Sequence, residues 1–291
     1  MNSSKITIIV VNYQCADLTA TSINSLFNNS SLNPQIIVVD NSPISEVATL
    51  TNLLPNAVII RQNENLGYAS GVNYALQNVD LSLSEYILLL NPDTYCTSDF
   101  LAIMKNFLEE NTQVVAVSPK ILKADESVWY AGGTISILKG GPKHYYSTQN
   151  LREKYVEFLT ACCMLIRKDL FIKIGGLPEK YFLYFEDAEL SVKLRKAGYL
   201  LAYLPEAILY HHVSATTQYA SNNYVRLFAR NRIIFMRDNF TNFQYYLFLA
   251  LHLIVRTPIA LFFFLLRGEL SNIHAYLKGL MQGLSYKSKL L

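Results

Sequence analysis

Four short apolar runs, at 6–11 (ITIIVV), 36–39 (IIVV), 57–60 (AVII) and 86–90 (YILLL), are separated by stretches with helical spacing. Runs this short, rich in β-branched or leucine side chains, predict buried strands. Between them Leu18, Ile23, Leu26 and Phe27 can share one helical face, and Val72, Ala75, Leu76 and Val79 another. Strand and helix alternating at this pitch predict a doubly wound, mostly parallel sheet over residues 1 to about 95. Further on, the pattern predicts a helix at 98–110, a strand at 114–117 and a glycine-punctuated loop or hairpin over 125–150. A strand or short apolar element at 158–166 comes next, then a break at Gly175-Gly176-Leu177-Pro178. Asp187 to Ala197 resumes a helix with Gly198 as its stop, and 201–210 reads as a strand running into His211-His212.

From about Asn222 the pattern is helical. Residues 243–266 are strongly apolar but interrupted by His252, Arg256 and Pro258. A membrane span wants about 20 apolar residues with few charges, so two readings stay open. One has helices lying on a membrane face with Arg256 and Arg267 snorkelling; the other has a helical cap packed on the main domain or in a homo-oligomer interface. The division expected is an α/β domain over 1–220, whose first 95 or so residues read as a nucleotide-binding half, and a helical region over 221–291.

Polar residues fall where such a sheet binds ligands. Val39-Asp40-Asn41-Ser42, Asn63-Glu64-Asn65-Leu66-Gly67 and Leu90-Asn91-Pro92-Asp93 each follow a predicted strand, and the carboxyl ends of parallel strands form the ligand edge of open α/β sheets. Phe185-Glu186-Asp187-Ala188-Glu189 adds a carboxylate cluster. Length and a hydrophobic content of 51% over 291 residues allow a full α/β core plus an extension. The net charge of +3, without an arginine-rich run, argues against nucleic acid as a partner. Cys15, Cys96, Cys162 and Cys163 lack metal spacing and predict packing in a reducing cytosol. The run Ile6 to Val11 is too short for a signal-peptide core and reads as a first strand.

Taken as an ordered set, these motifs resemble the family 2 inverting glycosyltransferases of GT-A fold, especially the rhamnosyltransferase-like members that build bacterial surface polysaccharides such as O-antigen. The resemblance covers roughly residues 5 to 240, and its motifs are Ile9-Val10-Val11-Asn12-Tyr13, Val39-Asp40-Asn41-Ser42, Asn63 through Asn73, Leu89-Leu90-Asn91-Pro92-Asp93, Gly175-Gly176-Leu177 through Glu186-Asp187, and His211. It implies transfer of one sugar from a nucleotide-sugar donor to a lipid-linked saccharide or polysaccharide, with a Mg²⁺ or Mn²⁺ cation, at the cytoplasmic face of the membrane. dTDP-rhamnose is the first donor expected, and UDP-sugars the next.

Residue by residue, the resemblance assigns a metal role to Asp93, with Asn91 contacting the donor or a metal-bound water. The family's Asp-x-Asp is Asn91-Pro92-Asp93 here, so its first carboxylate is missing, and a helix-capping turn is the rival reading. Asp40, Asn12 and Tyr13 are expected at the nucleoside, and Asn65, Gly67 and Asn73 at the donor through the third loop and helix. For Asp40 the alternative is an Asx-turn. Asp187 is the expected base, its pKa raised by Glu186 and the aromatic run around it, or else simply an N-cap. His211 is expected as a metal or diphosphate ligand, with His212 its rival. Arg226, Arg230 and Arg232 are diphosphate contacts or a solvated helix face. Other classes weighed are a nucleotide-sugar-binding scaffold without catalysis, suggested by the missing carboxylate, and a sugar-1-phosphate nucleotidyltransferase, whose glycine- and arginine-bearing first loop is absent.

Overall fold

The computed structural model describes residues 5–62, 64–147, 155–212 and 221–287. Asn63, the first residue of the third-loop motif, lies outside them. Strands β1 (Ile6–Asn12), β2 (Gln35–Asp40), β3 (Val58–Arg61) and β4 (Tyr86–Leu90) alternate with helices α1 (Ala16–Asn29), α2 (Val47–Leu53) and α3 (Tyr68–Asn78). The four strands pair in parallel in the order β3-β2-β1-β4. Every residue of β1 and β4 is buried, which is why these runs read as continuous apolar stretches rather than alternating ones.

The sheet then changes character. After β5 (Thr94–Tyr95) and α4 (Phe100–Glu110) come β6 (Val114–Leu122), β7 (Val128–Tyr130) and a hairpin of β8 (Gly133–Ser136) and β9 (Gly141–His144). Next are β10 (Cys163–Arg167), α5 (Lys168–Lys173), α6 (Glu186–Lys196) and β11 (Leu200–His211). β10 inserts antiparallel between β4 and β6, and β11 lies parallel to β6. The full order is β3-β2-β1-β4-β10-β6-β11-β5, with β7 on β6 and the hairpin as a separate two-stranded sheet.

Three expectations need adjusting. Of the strand or short apolar element expected at 158–166, only the part from Cys163 is strand; Phe158 makes an isolated bridge to Gly133, and Ala161 turns its N–H towards Asp187. β6 runs on to Leu122, held by β11 and β7. Asp187 does not cap α6, since the helix begins at Glu186 and its N-cap position is Phe185 at φ 78°.

Four more helices follow: α7 (Asn222–Asn239), α8 (Asn242–Leu251), α9 (Thr257–Leu266) and α10 (Leu270–Ser285). α7 starts at Ser221, whose hydroxyl accepts from the Tyr224 N–H, and α8 starts with a capping box between Thr241 and Gln244. A π-helical turn, His252–Arg256, joins α8 to α9. α7 packs on α6 and β9, and α10 lies along α7. One side of the α8–α9 rod is anchored: Phe248 packs on Gly140 at φ +67°, where a β-carbon would overlap its ring, and Arg256 donates to the Lys139 carbonyl at 3.1 Å. The other side is exposed and apolar, from Phe243 through Ile254 to Leu266.

Candidate active site

Strands β1, β2 and β4 end together, and their last side chains sort by parity, because successive side chains point to opposite faces. Asp40, the last residue of β2, is completely buried. It accepts from Arg61 at 2.8 Å, from the Glu46 and Ser42 backbone N–H groups at 2.9 and 3.1 Å, and from Asn12 at 3.3 Å. Burial pushes its pKa up, but these hydrogen bonds win and hold it below the usual carboxylate value. Asn12 is equally buried and spends its amide on Asp40, Ser42 and Glu46, while its oxygen accepts from Thr19. Asp40 and Asn12, expected at a nucleoside, are thus occupied in fixing the strand ends. Asn41 is the residue that lines the adjacent cleft, together with Tyr13, which is 44% exposed.

This cleft has a volume of about 510 Å³, and Asn65, Gly67 and Asn91 line it. Asn65 accepts from the Gly67 N–H at 2.9 Å. Gly67 sits at φ +98° and packs so closely on the Phe182 carbonyl that a β-carbon would collide with it. Asn73 does not reach the cleft. Its side chain bridges the Leu177 backbone in both directions and donates to Glu179 at 2.8 Å, tying α3 to the loop ahead of α6.

A second cavity of about 440 Å³ abuts the cleft, and Tyr68, Asn91, Leu183, Tyr184 and Tyr224 line both. Asp93, Glu186, Asp187 and His211 face this second space, as do Trp129 and Lys143. Asp187 accepts from the Ala161 N–H at 3.2 Å and from the Ala188 N–H at 2.8 Å. Burial drives its pKa above the ordinary carboxylate range despite these bonds. Glu186 is raised further, by burial and then by the Asp187 charge, and its Oε2 has no partner. Burial thus raises both carboxyls, Glu186 further than Asp187, because two backbone N–H groups and the Thr160 hydroxyl favour the charged form of Asp187.

His211 Nε2 and Asp93 Oδ1 lie 3.1 Å apart, both buried. His212 points elsewhere, its ring stacked on Tyr95 at 4.9 Å. His211 Nδ1 is buried without a partner. No group of three or more potential ligands occurs among the described residues. One carboxylate and one imidazole fit a hard divalent cation that draws its other ligands from water and a diphosphate.

The catalytic turn itself is strained. Phe182, Tyr184 and Phe185 have φ of 67°, 70° and 78°, a left-handed conformation costing roughly 1–2 kcal/mol per non-glycine residue. Asn231, buried in the middle of α7, holds it there: its amide donates to the Tyr181, Leu183 and Tyr184 carbonyls at 3.1, 2.8 and 3.0 Å. Its oxygen accepts from Arg230 at 2.7 Å, and Arg230 also donates to the Lys180 carbonyl. Beneath, Glu189 gathers Lys180, Tyr181 and Asn239. Sequence reasoning missed Asn231; the available signal was an amide on the apolar stripe Leu227–Asn231–Ile234 of a helix. The three arginines of α7 expected at the diphosphate diverge: Arg226 lines the cleft, Arg230 supports Asn231, and Arg232 lies over the Phe228 ring.

Residues 7–175 match the family described as Glycosyl transferase family 2, so Asp187, His211 and Asn231 lie beyond the matched segment. The N-acetylglucosaminyl-diphospho-decaprenol L-rhamnosyltransferase of Mycobacterium tuberculosis is 25% identical over 208 residues, covering 63% of this chain and 68% of that protein. The low-salt glycan biosynthesis hexosyltransferase Agl10 of Haloferax volcanii is 26% identical over 236 residues, covering 79% and 74%. Among solved structures, the mannosyltransferase PcManGT from Pyrobaculum calidifontis, in complex with GDP-Man and Mn²⁺, matches 98% of this chain and 88% of its own with a TM-score of 0.60 at 15% identity. That is a likeness of fold.

Two substitutions test the framework in urea denaturation. Asp40→Asn is expected to cost about 2 kcal/mol at pH 7, by breaking the partly exposed pair with Arg61 and the N–H bonds around it. Because the folded pKa of Asp40 is depressed, its contribution is present above the unfolded value and lost as pH falls through the folded one, so the wild type and variant should converge in acid. Asn231→Ala is expected to cost about 3 kcal/mol, since three carbonyls lose their donor. An Asn231→Ala protein as stable as the wild type would mean that the turn holds itself.

Proposed function

The chain belongs to glycosyl transferase family 2, and from that premise we propose that it moves one sugar, with inversion, from a nucleotide-sugar to a lipid-linked saccharide or growing polysaccharide in surface glycan synthesis. The observation that carries this reading is the abutment of the two cavities, with the Asp187 carboxylate facing one and the strand-end cleft forming the other. The cleft is assigned to the nucleotide and the Asp187 cavity to the acceptor. We take rhamnose from dTDP-rhamnose as the first donor, because the mycobacterial relative is named a rhamnosyltransferase.

In the reaction the acceptor hydroxyl oxygen attacks the anomeric carbon from the face opposite the nucleotide. Its proton passes to the Asp187 carboxylate as the new bond forms, and the nucleoside diphosphate leaves with the electron pair of the old one. Ala161 and Ala188 aim the carboxylate, and Asn231 fixes the turn that delivers it. Glu186, raised further by burial and by the Asp187 charge, is the member of the pair that protonates first and so limits the negative charge met by an incoming acceptor. Asp93 and His211 are the residues that would hold Mg²⁺ or Mn²⁺, and a bound cation supplies positive charge against the departing diphosphate.

The protein acts, in this reading, at the cytoplasmic face of the membrane. The 25-residue stretch Asn242–Leu266 is long and apolar enough to cross a bilayer, and little of it is buried. Two features favour a rod lying in the interface: Arg256 sits beyond its midpoint, and His252 and Thr257 are packed against Tyr276 of α10.

Release of nucleoside diphosphate from a panel of dTDP-, UDP- and GDP-sugars, with and without chelator and acceptor, tests the reaction. Asp187→Asn is expected to slow transfer roughly a thousandfold while leaving the donor Kd unchanged. Donor binding without transfer in the wild type would instead favour a non-catalytic binder. The wild-type rate should fall as pH drops, along a limb lying above the ordinary carboxylate pKa of about 4, since Asp187 must be ionised to accept the proton. The same raised pKa means that ionising Asp187 opposes folding above its unfolded value, so Asp187→Asn should be the more stable protein at pH 8 but not at pH 4. For the membrane, the double variant Ile254→Glu/Phe262→Glu should lose co-sedimentation with lipid vesicles; wild-type protein that stays in the supernatant would sink that part of the reading.

A further inference from the structure

Tyr224, Phe228 and Arg232 recur every four residues on one face of α7, so they form a single stripe. The first two line the Asp187 cavity, with their rings stacked at 5.2 Å. Arg232 continues the stripe away from Asp187, its guanidinium carbon 5.1 Å from the Phe228 ring centroid. There the stripe approaches the apolar rod, where His252 stacks on Phe248 at 5.1 Å and Arg256 holds the Lys139 carbonyl.

Arg232 is the unusual member. Its Nε is buried and makes no hydrogen bond, and no carboxylate among the described residues pairs with it. Burial and then the neighbouring Arg256 both work against its charge, lowering its pKa. A desolvated guanidinium costs stability unless something anionic meets it, and one aromatic face is a weak substitute. An apolar side chain of similar volume should therefore pack the site at least as well.

We propose that Arg232, assisted by Arg256, binds the diphosphate of a lipid-linked acceptor whose sugar occupies the Asp187 cavity and whose hydrocarbon leaves along the exposed face of α8 and α9. The inference rests on the lipid-linked reading of the acceptor. Three surfaces follow one another on the protein: a cavity with a base and aromatic rings, then unpaired cations, then an apolar rod. Sugar, diphosphate and hydrocarbon follow one another in the same order in a polyprenyl-diphosphate saccharide. Guanidinium is suited to the middle part, because its planar fork matches phosphate oxygens.

The test is equilibrium binding of farnesyl diphosphate to the full chain, read by the fluorescence of Trp129, the single tryptophan, which lines the cavity. Farnesol and inorganic pyrophosphate serve as the hydrocarbon-only and phosphate-only probes. Wild-type protein is expected to bind farnesyl diphosphate more tightly than either, and Arg232→Gln to weaken that binding about 10- to 100-fold while farnesol binding and the Kd of a nucleoside diphosphate stay put. Arg232→Met separates a ligand site from a packing role: it should unfold at a higher temperature than the wild type yet bind farnesyl diphosphate as poorly as the Gln variant. The proposal is overturned if the wild type does not prefer farnesyl diphosphate, if Arg232→Gln binds it normally, or if a nucleoside diphosphate displaces it competitively. The lipid-linked reading fails by a different result, transfer by the wild-type protein only to phosphate-free glycans.

Discussion

Everything at the catalytic centre depends on a turn that the backbone does not favour. Phe182, Tyr184 and Phe185 stand in the left-handed region, and the carboxylates of Glu186 and Asp187 follow at once. The strain of three such residues is a few kcal/mol, and the two N–H bonds of one buried amide, shared among three carbonyls at about 1 kcal/mol each, offset a substantial part of it. Asn231 supplies those bonds from a helix that begins some forty residues further along the chain. The turn is therefore a property of the α6–α7 contact and not of its own sequence. Strain of this kind persists at functional sites when the surroundings over-determine it. Here it rotates the start of α6 so that Asp187 meets the Ala161 N–H at the edge of a cavity.

The electrostatics follow from that placement. A carboxylate at a helix start is ordinarily comfortable, because free N–H groups and the helix dipole favour its charge. Two carboxylates side by side and out of water cannot both ionise cheaply. The environments separate them: Asp187 has two backbone donors, whereas Glu186 Oε2 has none. Of this adjacent pair Asp187 is therefore the more readily ionised, its charge favoured by backbone N–H groups and by the Thr160 hydroxyl, while the Asp187 charge itself raises Glu186 further.

The parallel half of the sheet was legible from the chain because β1, β2 and β4 are buried on both faces and so read as unbroken apolar runs. The antiparallel insertion of β10 was not, since strand direction leaves no mark in a five-residue run such as Cys163–Arg167. At the site, motif order brought Asn65, Gly67, Asn91, Asp93, Asp187 and His211 to the right edge of the sheet. It could not distinguish Asp40 from Asn41, because a one-residue change of parity decides which faces the cleft. What pulled Asp40 inward is Arg61, a partner 21 positions away on β3. Asn231 was hidden for the opposite reason: its role depends on carbonyls, which every residue has and no sequence pattern reveals.

Helix α7 then explains why the C-terminal region cannot be regarded as an appendage to a finished catalytic domain. One face carries Arg226 to the strand-end cleft, another carries Asn231 to the strained turn, and a third carries Tyr224 and Phe228 to the Asp187 cavity. α10 braces the helix from behind, with Gly279 and Gly283 close to the Arg226 and Arg230 carbonyls. The rod of α8 and α9 connects these two helices, so whatever holds the rod also constrains α7. Phe248 on Gly140 and Arg256 on Lys139 join the rod to the hairpin whose Pro142, Lys143 and His144 line the Asp187 cavity. An apolar surface that engages a membrane would thereby fix the orientation of the cavity walls, because the same helix pair that buries against the sheet also carries the site. Rod, hairpin and α7 thus form one continuous set of packing contacts, which runs on through Asn231 to the turn ahead of Asp187.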